Sequence, residues 1–188
     1  MKKCLLLLLC MVLCVCMVTA GAETLEITGR WTYDIDLAEW FEYKGGDVDA
    51  KVAYEWKFEA DGTFVQQYAD KTKVSAVVKE LMTKILTTEI AAEGVTIDTV
   101  ATAEGFASVD AFVESIIQKE KLDTLGEAVT SGTYTVEDNV LKMYFTDDEG
   151  KLVEAVDTMT LDGDNLTLVG VENETITLTR YKEEVVVN

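Results

Sequence analysis

The sequence contains no histidine and no proline, and its four cysteines all lie close to the N-terminus, at Cys4, Cys10, Cys14 and Cys16. Without histidine, no histidine-based catalytic triad or acid–base mechanism can be assembled. Without proline, no turn depends on a fixed φ or on a cis peptide bond. If the N-terminal segment is removed, thiolate ligands are lost as well, which excludes most zinc, copper, haem and iron–sulfur sites.

The N-terminal segment has the three parts of a secretory signal peptide in order. Lys2 and Lys3 precede an apolar run over residues 4–18, and Ala20-Gly21-Ala22 follows it. We therefore predict a signal peptide over residues 1–22, with Glu23 as the mature N-terminus. The run is shorter than the roughly 20 residues that a membrane span needs, so an uncleaved anchor is the less favoured alternative. Lipid attachment at one of the cysteines is another alternative, although none of them follows the small residues that a lipoprotein signal requires.

The charge and the cysteine content limit which partners the mature chain can bind. A secreted protein without disulfides is typical of the space outside a bacterial cell, where small domains are not routinely stapled. The formal net charge is −19, and such a surface repels nucleic acid and anionic membranes. We predict a secreted or cell-surface protein with no nucleic-acid partner and no stable membrane insertion of the mature chain. The acidity either keeps the protein soluble or favours weak cation binding and basic partners.

Alternation of apolar and polar residues predicts eight β-strands. Three come early in the chain: one covers residues 27–36, another carries Val52, Tyr54, Trp56 and Phe58 on one face, and the third covers residues 63–68. Asp61-Gly62 between the second and the third is a strong hairpin signal. The other five follow residue 130, separated by turns rich in Asp, Asn, Glu and Gly, and their apolar positions are Tyr134 and Val136; Leu141, Met143 and Phe145; Val153, Ala155 and Met159; Leu166 and Leu168; Ile176 and Leu178.

Between the third and fourth predicted strands the hydrophobic period changes from two to that of an α-helix. Residues 71–93 carry an apolar stripe on one helical face, a short second helix begins near Thr96, and a third follows Ser108, a favourable N-cap. We therefore predict an α-helical insertion over about residues 71–128. The aromatic segment 37–49 either folds over an opening or packs on the outside of the sheet.

Eight antiparallel strands with one apolar face can close on themselves, which removes exposed sheet edges. We therefore predict a mainly β fold, an eight-stranded antiparallel up-and-down β-barrel with the helical insertion between strands 3 and 4, as a single domain over residues 23–188. The alternative is an open sheet with the helices packed across one face.

The two ends of the predicted barrel carry a recognisable combination of residues. Gly29 and Trp31 open the first strand, and Arg180 has the same parity as the inward-facing Ile176 and Leu178 in the last strand. An inward arginine beside an inward tryptophan predicts a cation–π contact that helps to close the barrel. This Gly-x-Trp start paired with a terminal arginine resembles the lipocalin and wider calycin group, and bacterial lipocalin-like secreted proteins in particular. The helical insertion departs from the usual lipocalin pattern.

The lipocalin resemblance implies that a small, largely apolar molecule binds inside the barrel. Gln66 is the polar side chain expected to orient it. We predict no enzyme activity, cofactor, catalytic residue or metal site, because histidine is absent and almost every acidic residue lies in a turn or at an outward strand position. The alternative is an extracellular or cell-surface protein-interaction module whose barrel is filled by its own side chains. By strand parity the candidate ligand-binding residues are Tyr54, Trp56, Phe64, Gln66, Tyr68, Tyr134, Met143 and Phe145.

Overall fold

The structure is a computed structural model that describes residues 26–147 and 149–182. The predicted signal peptide over residues 1–22 lies outside the described residues. Eight strands form one closed antiparallel barrel in the order of the chain, which confirms the predicted architecture and excludes the open sheet. The strands are β1 (Gly29–Asp36), β2 (Lys51–Phe58), β3 (Thr63–Tyr68), β4 (Val129–Glu137), β5 (Val140–Thr146), β6 (Leu152–Asp162), β7 (Asn165–Val169) and β8 (Thr175–Arg180).

The barrel closes where β1 pairs with β8, with Trp31 opposite Arg180. Inside the barrel, the Arg180 guanidinium carbon lies 4.2 Å from the centroid of the Trp31 ring, and Arg180 Nη1 donates to the carbonyl of Thr28 at 3.0 Å. Gly29 has φ +125°, and a Cβ there would lie 3.2 Å from Arg180 Nη1. Glycine is therefore required by the backbone conformation and favoured by the space. The structure thus brings Gly29, Trp31 and Arg180 together at the seam.

A second cation covers the same seam from outside. The Arg30 guanidinium lies 4.1 Å from the centroid of the Tyr181 ring, and Arg30 Nε donates to Glu55 Oε2 at 2.9 Å. Glu55 is only 4% exposed although it belongs to the outer face of β2, so the arginine supplies the charge that its burial requires. The first and last strands are consequently held by a cation on each face of the sheet.

The helical insertion between β3 and β4 consists of α2 (Lys71–Ala92), α3 (Ile97–Ala103), α4 (Val109–Lys119) and a 3-10 helix (Leu122–Glu127). The predicted N-cap is confirmed, because the Ser108 hydroxyl accepts a hydrogen bond from Ala111 N at 3.1 Å. Lys79 of α2 forms ion pairs with Asp110 and Glu114 of α4, at 3.3 and 2.8 Å. These contacts fix the two longest helices of the insertion against each other.

The helices pack over one end of the barrel, on the side of β1, β2 and β3. Their buried face shares a hydrophobic cluster with Val52 and Tyr68 of the barrel, and Ile35 and Tyr54 pack against the same cluster. Val52 and Tyr54 lie on the inward face of β2, so the insertion covers part of the barrel mouth rather than its outer wall.

The aromatic segment that follows β1 begins with a short helix, α1 (Leu37–Trp40). Phe41 and Tyr43 pack against the helical cluster, so these two rings do not lie on the outside of the sheet. Within residues 26–147 and 149–182, no helix is both long and apolar enough to cross a membrane.

Candidate functional site

The two halves of the barrel interior differ in how completely they are filled. We use the name lower half for the part of the interior at the end where β1 begins and β8 ends. Seven of its inward side chains are 0–1% exposed, whereas Tyr134, Val136 and Leu161 at the same end are partly exposed. Ile27, two residues before β1, is buried in the same hydrophobic cluster as these side chains. Its backbone carbonyl accepts a hydrogen bond from Trp31 Nε1 at 2.7 Å. The seven buried residues of the lower half are Trp31, Phe58, Phe64, Leu141, Met159, Leu166 and Leu178.

We use the name upper half for the part of the interior at the opposite end, which the helices partly cover. Its side chains belong to the inward-facing parity of their strands, yet most of them keep partial exposure to solvent. Inward residues that remain accessible line a depression, whereas inward residues of a filled barrel are buried. These partly exposed inward residues are Tyr33, Tyr54, Gln66, Phe145, Ala155, Asp157 and Ile176.

The strands of the barrel are staggered, and the helices cover only the β1–β3 side of its upper end. Trp31 faces Trp56 across the first strand pair, Trp56 faces Gln66, and Gln66 faces Thr130 near the beginning of β4. The row of direct partners therefore runs toward the upper end as it crosses the sheet, as in any barrel with tilted strands. Because the helices cover β1–β3, the accessible side of the mouth lies beside β5–β8.

The eight candidate ligand-binding residues fall into three groups. Tyr54, Gln66 and Phe145 line the upper half, with Trp56 and Met143 buried next to them. Phe64 lies in the lower half and packs on Phe58, with ring centroids 6.4 Å apart. Tyr134 also lies low in the barrel, where its hydroxyl donates to the carbonyl of Glu59 at 2.9 Å. Tyr68 lies beneath the helices.

Trp56 carries a buried donor without an acceptor. The residue is 7% exposed, and among the described residues and their atoms nothing accepts a hydrogen bond from its Nε1. Leaving a buried donor unsatisfied costs about 1–3 kcal/mol, so such groups in folded proteins call for an explanation. An acceptor entering the upper half would remove this cost.

Gln66 is opposite Trp56 on the neighbouring strand, and its amide is poorly satisfied. Its Nε2 donates to the sulfur of Met143 at 3.9 Å, and a thioether is a weak acceptor. Met143 is in turn the direct partner of Ala155 on β6. The contact therefore connects Gln66, the strand partner of Trp56, with Met143, the strand partner of Ala155. The amide oxygen of Gln66 remains available to a ligand.

Three tyrosines form the wall beneath the helices. The rings of Tyr33 and Tyr54 are 5.9 Å apart, and those of Tyr54 and Tyr68 are 5.1 Å apart, both edge to face. Burial, with smaller contributions from Tyr33 and Tyr68, raises the pKa of Tyr54 to about 12. The three hydroxyls thus remain neutral at physiological pH and act as hydrogen-bonding groups on an aromatic surface.

Asp157 is the inward-facing residue that our sequence analysis did not name. Its direct partner is the buried Leu141, and it has the same parity as Ala155 and Met159. Burial, followed by the nearby carboxylate of Glu174, raises its pKa above the usual value. No donor or cation among the described residues satisfies its carboxylate. Parity along β6 was the signal that could have found it, because the residue stands in the apolar register Val153, Ala155, Met159.

The rim of the upper half is apolar. Val129 opens β4, Leu152 opens β6, and Val171 lies in the turn between β7 and β8. These three side chains are 51, 70 and 84% exposed. Val129 and Leu152 have the outward parity of their strands, so they lie on the outer surface at this end of the barrel.

The described part of the chain offers no group of three or more metal-ligating side chains placed to hold a metal ion. The candidate site is the accessible part of the upper half, which is lined by aromatic and apolar side chains and by a few polar groups that lack good hydrogen-bond partners. We call this site the cup. Comparisons of this chain with protein-family models, with curated proteins and with solved structures gave no match.

Proposed function

We propose that this protein is a secreted, lipocalin-like barrel that binds one small, largely apolar molecule in its upper half. The observation that carries the proposal is a contrast within the interior: Gln66, Phe145 and Ala155 of the upper half remain partly accessible, while seven large apolar side chains of the lower half are buried. Ligand sites are typically concave and apolar, with a few convergent polar groups. Trp56 Nε1 and the Gln66 amide are the polar groups here.

The filled lower half limits the size of the ligand. Trp31 and Leu178 are fully buried, so no ligand extends along the whole barrel axis. A compact molecule with one ring or a short chain fits the upper half better than a long fatty acid or a retinoid.

Secretion and binding without catalysis belong to the same proposal. The charged-apolar-small order over residues 1–22 supports export. The absence of histidine from the whole sequence supports binding over acid–base catalysis.

The second candidate function is an extracellular interaction module that acts through its surface. The filled lower half and the exposed Trp40, 58% accessible, favour it. In that case the helical insertion and the segment around Trp40 would contact a protein partner, and the interior would serve stability alone.

Tryptophan fluorescence distinguishes the two functions. A Trp40→Phe variant of the full chain removes the exposed indole and leaves Trp31 in the lower half and Trp56 beside the cup. Titration with 2-phenylethanol should shift the emission saturably at one-to-one stoichiometry. Adding Trp56→Phe to the same variant should abolish most of the shift, because the remaining Trp31 is fully buried in the lower half. An emission that does not respond to this probe or to other compact apolar alcohols would favour the interaction module.

A further inference from the structure

Closure of the barrel leaves a sheet edge without a partner at its upper end. β6 pairs with β5 over residues 152–158, but its pairing with β7 begins only at Thr158, opposite Val169. β7 ends at Val169, and the chain then turns through residues 170–174 into β8. Residues 152–157 of β6 therefore extend beyond the β7–β8 hairpin, and on that side they pair with no strand in the described part of the chain. We call this stretch the open edge.

The ladder between β5 and β6 shows which backbone groups point toward the open edge. Met159 N donates at 2.7 Å to the carbonyl of Asn139, which immediately precedes β5. Alternate residues of an antiparallel strand bond to the same neighbour, so the odd-numbered residues of β6 bond to β5 and the even-numbered ones face the side of β7. The N–H and C=O groups of Leu152, Glu154 and Val156 consequently have no hydrogen-bond partner among the described residues.

The open edge is accessible to another chain. Leu152 is 70% exposed and Val156 is 36% exposed, and Glu154 between them is exposed as well. Native proteins commonly block such edges with proline or by keeping the edge strand short. This sequence has no proline, and β6, with 11 residues, is the longest strand of the described barrel. The edge is therefore a template on which a further strand can pair.

Carboxylates determine which strand the open edge accepts. Glu154 lies on its outer face, where its Oε1 accepts a hydrogen bond from the Tyr144 hydroxyl at 3.0 Å. At the lower end of the edge, a Cβ built on Gly170 would lie 2.9 Å from Glu174 Oε2 and 3.4 Å from Asp157 Oδ1, so two more carboxylates lie where the hairpin begins. An added strand that carries cations is attracted to these groups, and one that carries anions is repelled.

The same charges oppose pairing between two copies of this chain. Each copy has a formal net charge of −19 and would bring Glu154 and Asp157 to the shared edge, where like charges destabilise pairing. Lys142, the strand partner of Val156, does not offset them, because it forms an ion pair with Glu137 at 3.1 Å. The occupant that fits the edge is consequently a basic segment of a different protein.

We propose that the open edge binds, by strand addition, an extended segment of another protein in which lysine or arginine alternates with apolar residues. The backbone of the segment pairs with Leu152, Glu154 and Val156. Its cations lie on the outer face beside Glu154, and its apolar side chains lie on the inner face beside Val153 and Ala155. Main-chain hydrogen bonds supply the affinity in this mode of recognition, and the alternate side chains supply the specificity. The inference does not require a ligand in the cup.

The test is amide hydrogen exchange of the full chain, followed by NMR, with an end-blocked eight-residue peptide of alternating lysine and valine as the probe. Without peptide, the amides of Leu152, Glu154 and Val156 should exchange rapidly, whereas that of Ala155, which bonds to β5, should exchange slowly. Saturating peptide should slow exchange at the three edge amides by about tenfold or more and leave Ala155 unchanged.

Matched peptides and variants separate strand addition from general attraction. Alternate N–H groups of an added strand face β6, so of two peptides N-methylated at the lysines or at the valines, one should bind about tenfold more weakly than the parent. A peptide with glutamate in place of lysine should bind about tenfold more weakly or not at all. Val156→Pro removes an edge N–H without touching the ladder to β5 and should weaken binding about tenfold, whereas Val156→Thr keeps that N–H and should bind as the wild type does.

Three results would overturn the inference. The first is equal binding of the glutamate peptide, which would remove the preference for a basic partner. The second is undiminished binding of both N-methylated peptides, or slowed exchange spread evenly over the barrel, because neither is compatible with strand addition at β6. The third is protection of the edge amides that rises with protein concentration in the absence of peptide, which would identify a second copy of the chain as the occupant. Binding of 2-phenylethanol in the cup is measured separately, so its failure leaves this inference unaffected.

Discussion

The lower and upper halves of this barrel are made by the same strands, yet their interiors are packed differently. In the lower half, Phe58 and Leu178 are almost completely buried, and Arg180 and Trp31 hold the first and last strands together. In the upper half, Gln66 and Asp157 stand at equivalent inward positions and remain accessible. The difference shows that strand parity determines which side chains face inward, whereas the size and polarity of those side chains determine whether the space is filled.

The largest expected effect contrasts two phenylalanines, one in each half. Phe58→Ala should lower the free energy of unfolding by about 4 kcal/mol, because the change empties a filled interior. Phe145→Ala should cost about 1 kcal/mol, because its ring is partly exposed and solvent enters the space. Urea denaturation measures both. Equal losses would show that the two halves are packed alike.

Arg180→Ala tests the seam of the lower half. The variant loses the contact with the Trp31 ring and the hydrogen bond to the Thr28 carbonyl, so we expect a loss of about 2 kcal/mol and altered Trp31 emission. Arg180→Lys should retain part of the stability, since it keeps the charge but not the planar guanidinium. Lys182→Ala, at an exposed position, is the control. An unchanged melting curve for Arg180→Ala would count against the role of the seam.

At alkaline pH, ionisation of Tyr54 in the upper half should lower the stability of the folded protein. Its pKa is about 12 in the folded protein, mainly because burial disfavours the phenolate, against the ordinary value of 10.0. The stability from the neutral phenol is therefore fully present below pH 10.0 and is lost as pH rises toward about 12. Tyr54→Phe should flatten this part of the stability profile, measured by thermal melts between these pH values. A wild-type profile identical to that of Tyr54→Phe would contradict the burial of this hydroxyl.

The smallest effect concerns Asp157. Because its pKa is raised in the folded protein, its contribution to stability is largest below the ordinary pKa and decreases as pH rises through the folded value. At neutral pH the ionised carboxylate is therefore unfavourable, and Asp157→Asn should slightly raise the melting temperature. Differential scanning calorimetry at pH 7 and at pH 3 provides the check, with Asp162→Asn as control. A lower melting temperature at pH 7 would mean that an unrecognised donor satisfies the carboxylate.

Sequence patterns predicted the architecture because strands and helices have different hydrophobic periods. Alternation in Val52 to Phe58 and again after residue 130 predicted the strands, and the helical stripe after Asp70 predicted the position of the insertion. Parity also predicted which residues face inward. These local signals suffice when turns are short and each strand pairs with the next along the chain.

The candidate site was only partly predictable, for two physical reasons. Phe64 and Tyr54 have the same parity, but only the stagger of the strands and the packing of neighbours decide that the first lies in the filled half. Asp157 was missed because the carboxylates of this acidic chain were interpreted as outward or in turns. Its inward position followed from parity, but its lack of a partner depends on distant elements that the sequence does not specify.

The most direct test of a binding cup is to fill it. Ala155 faces the interior of the upper half, and its neighbour Val156 faces outward and is 36% exposed. The account predicts that Ala155→Phe abolishes binding of 2-phenylethanol in calorimetric titrations, while Val156→Phe binds this probe as the wild type does. Equal binding by the two variants, with circular dichroism showing that both are folded, would contradict a ligand site inside the barrel.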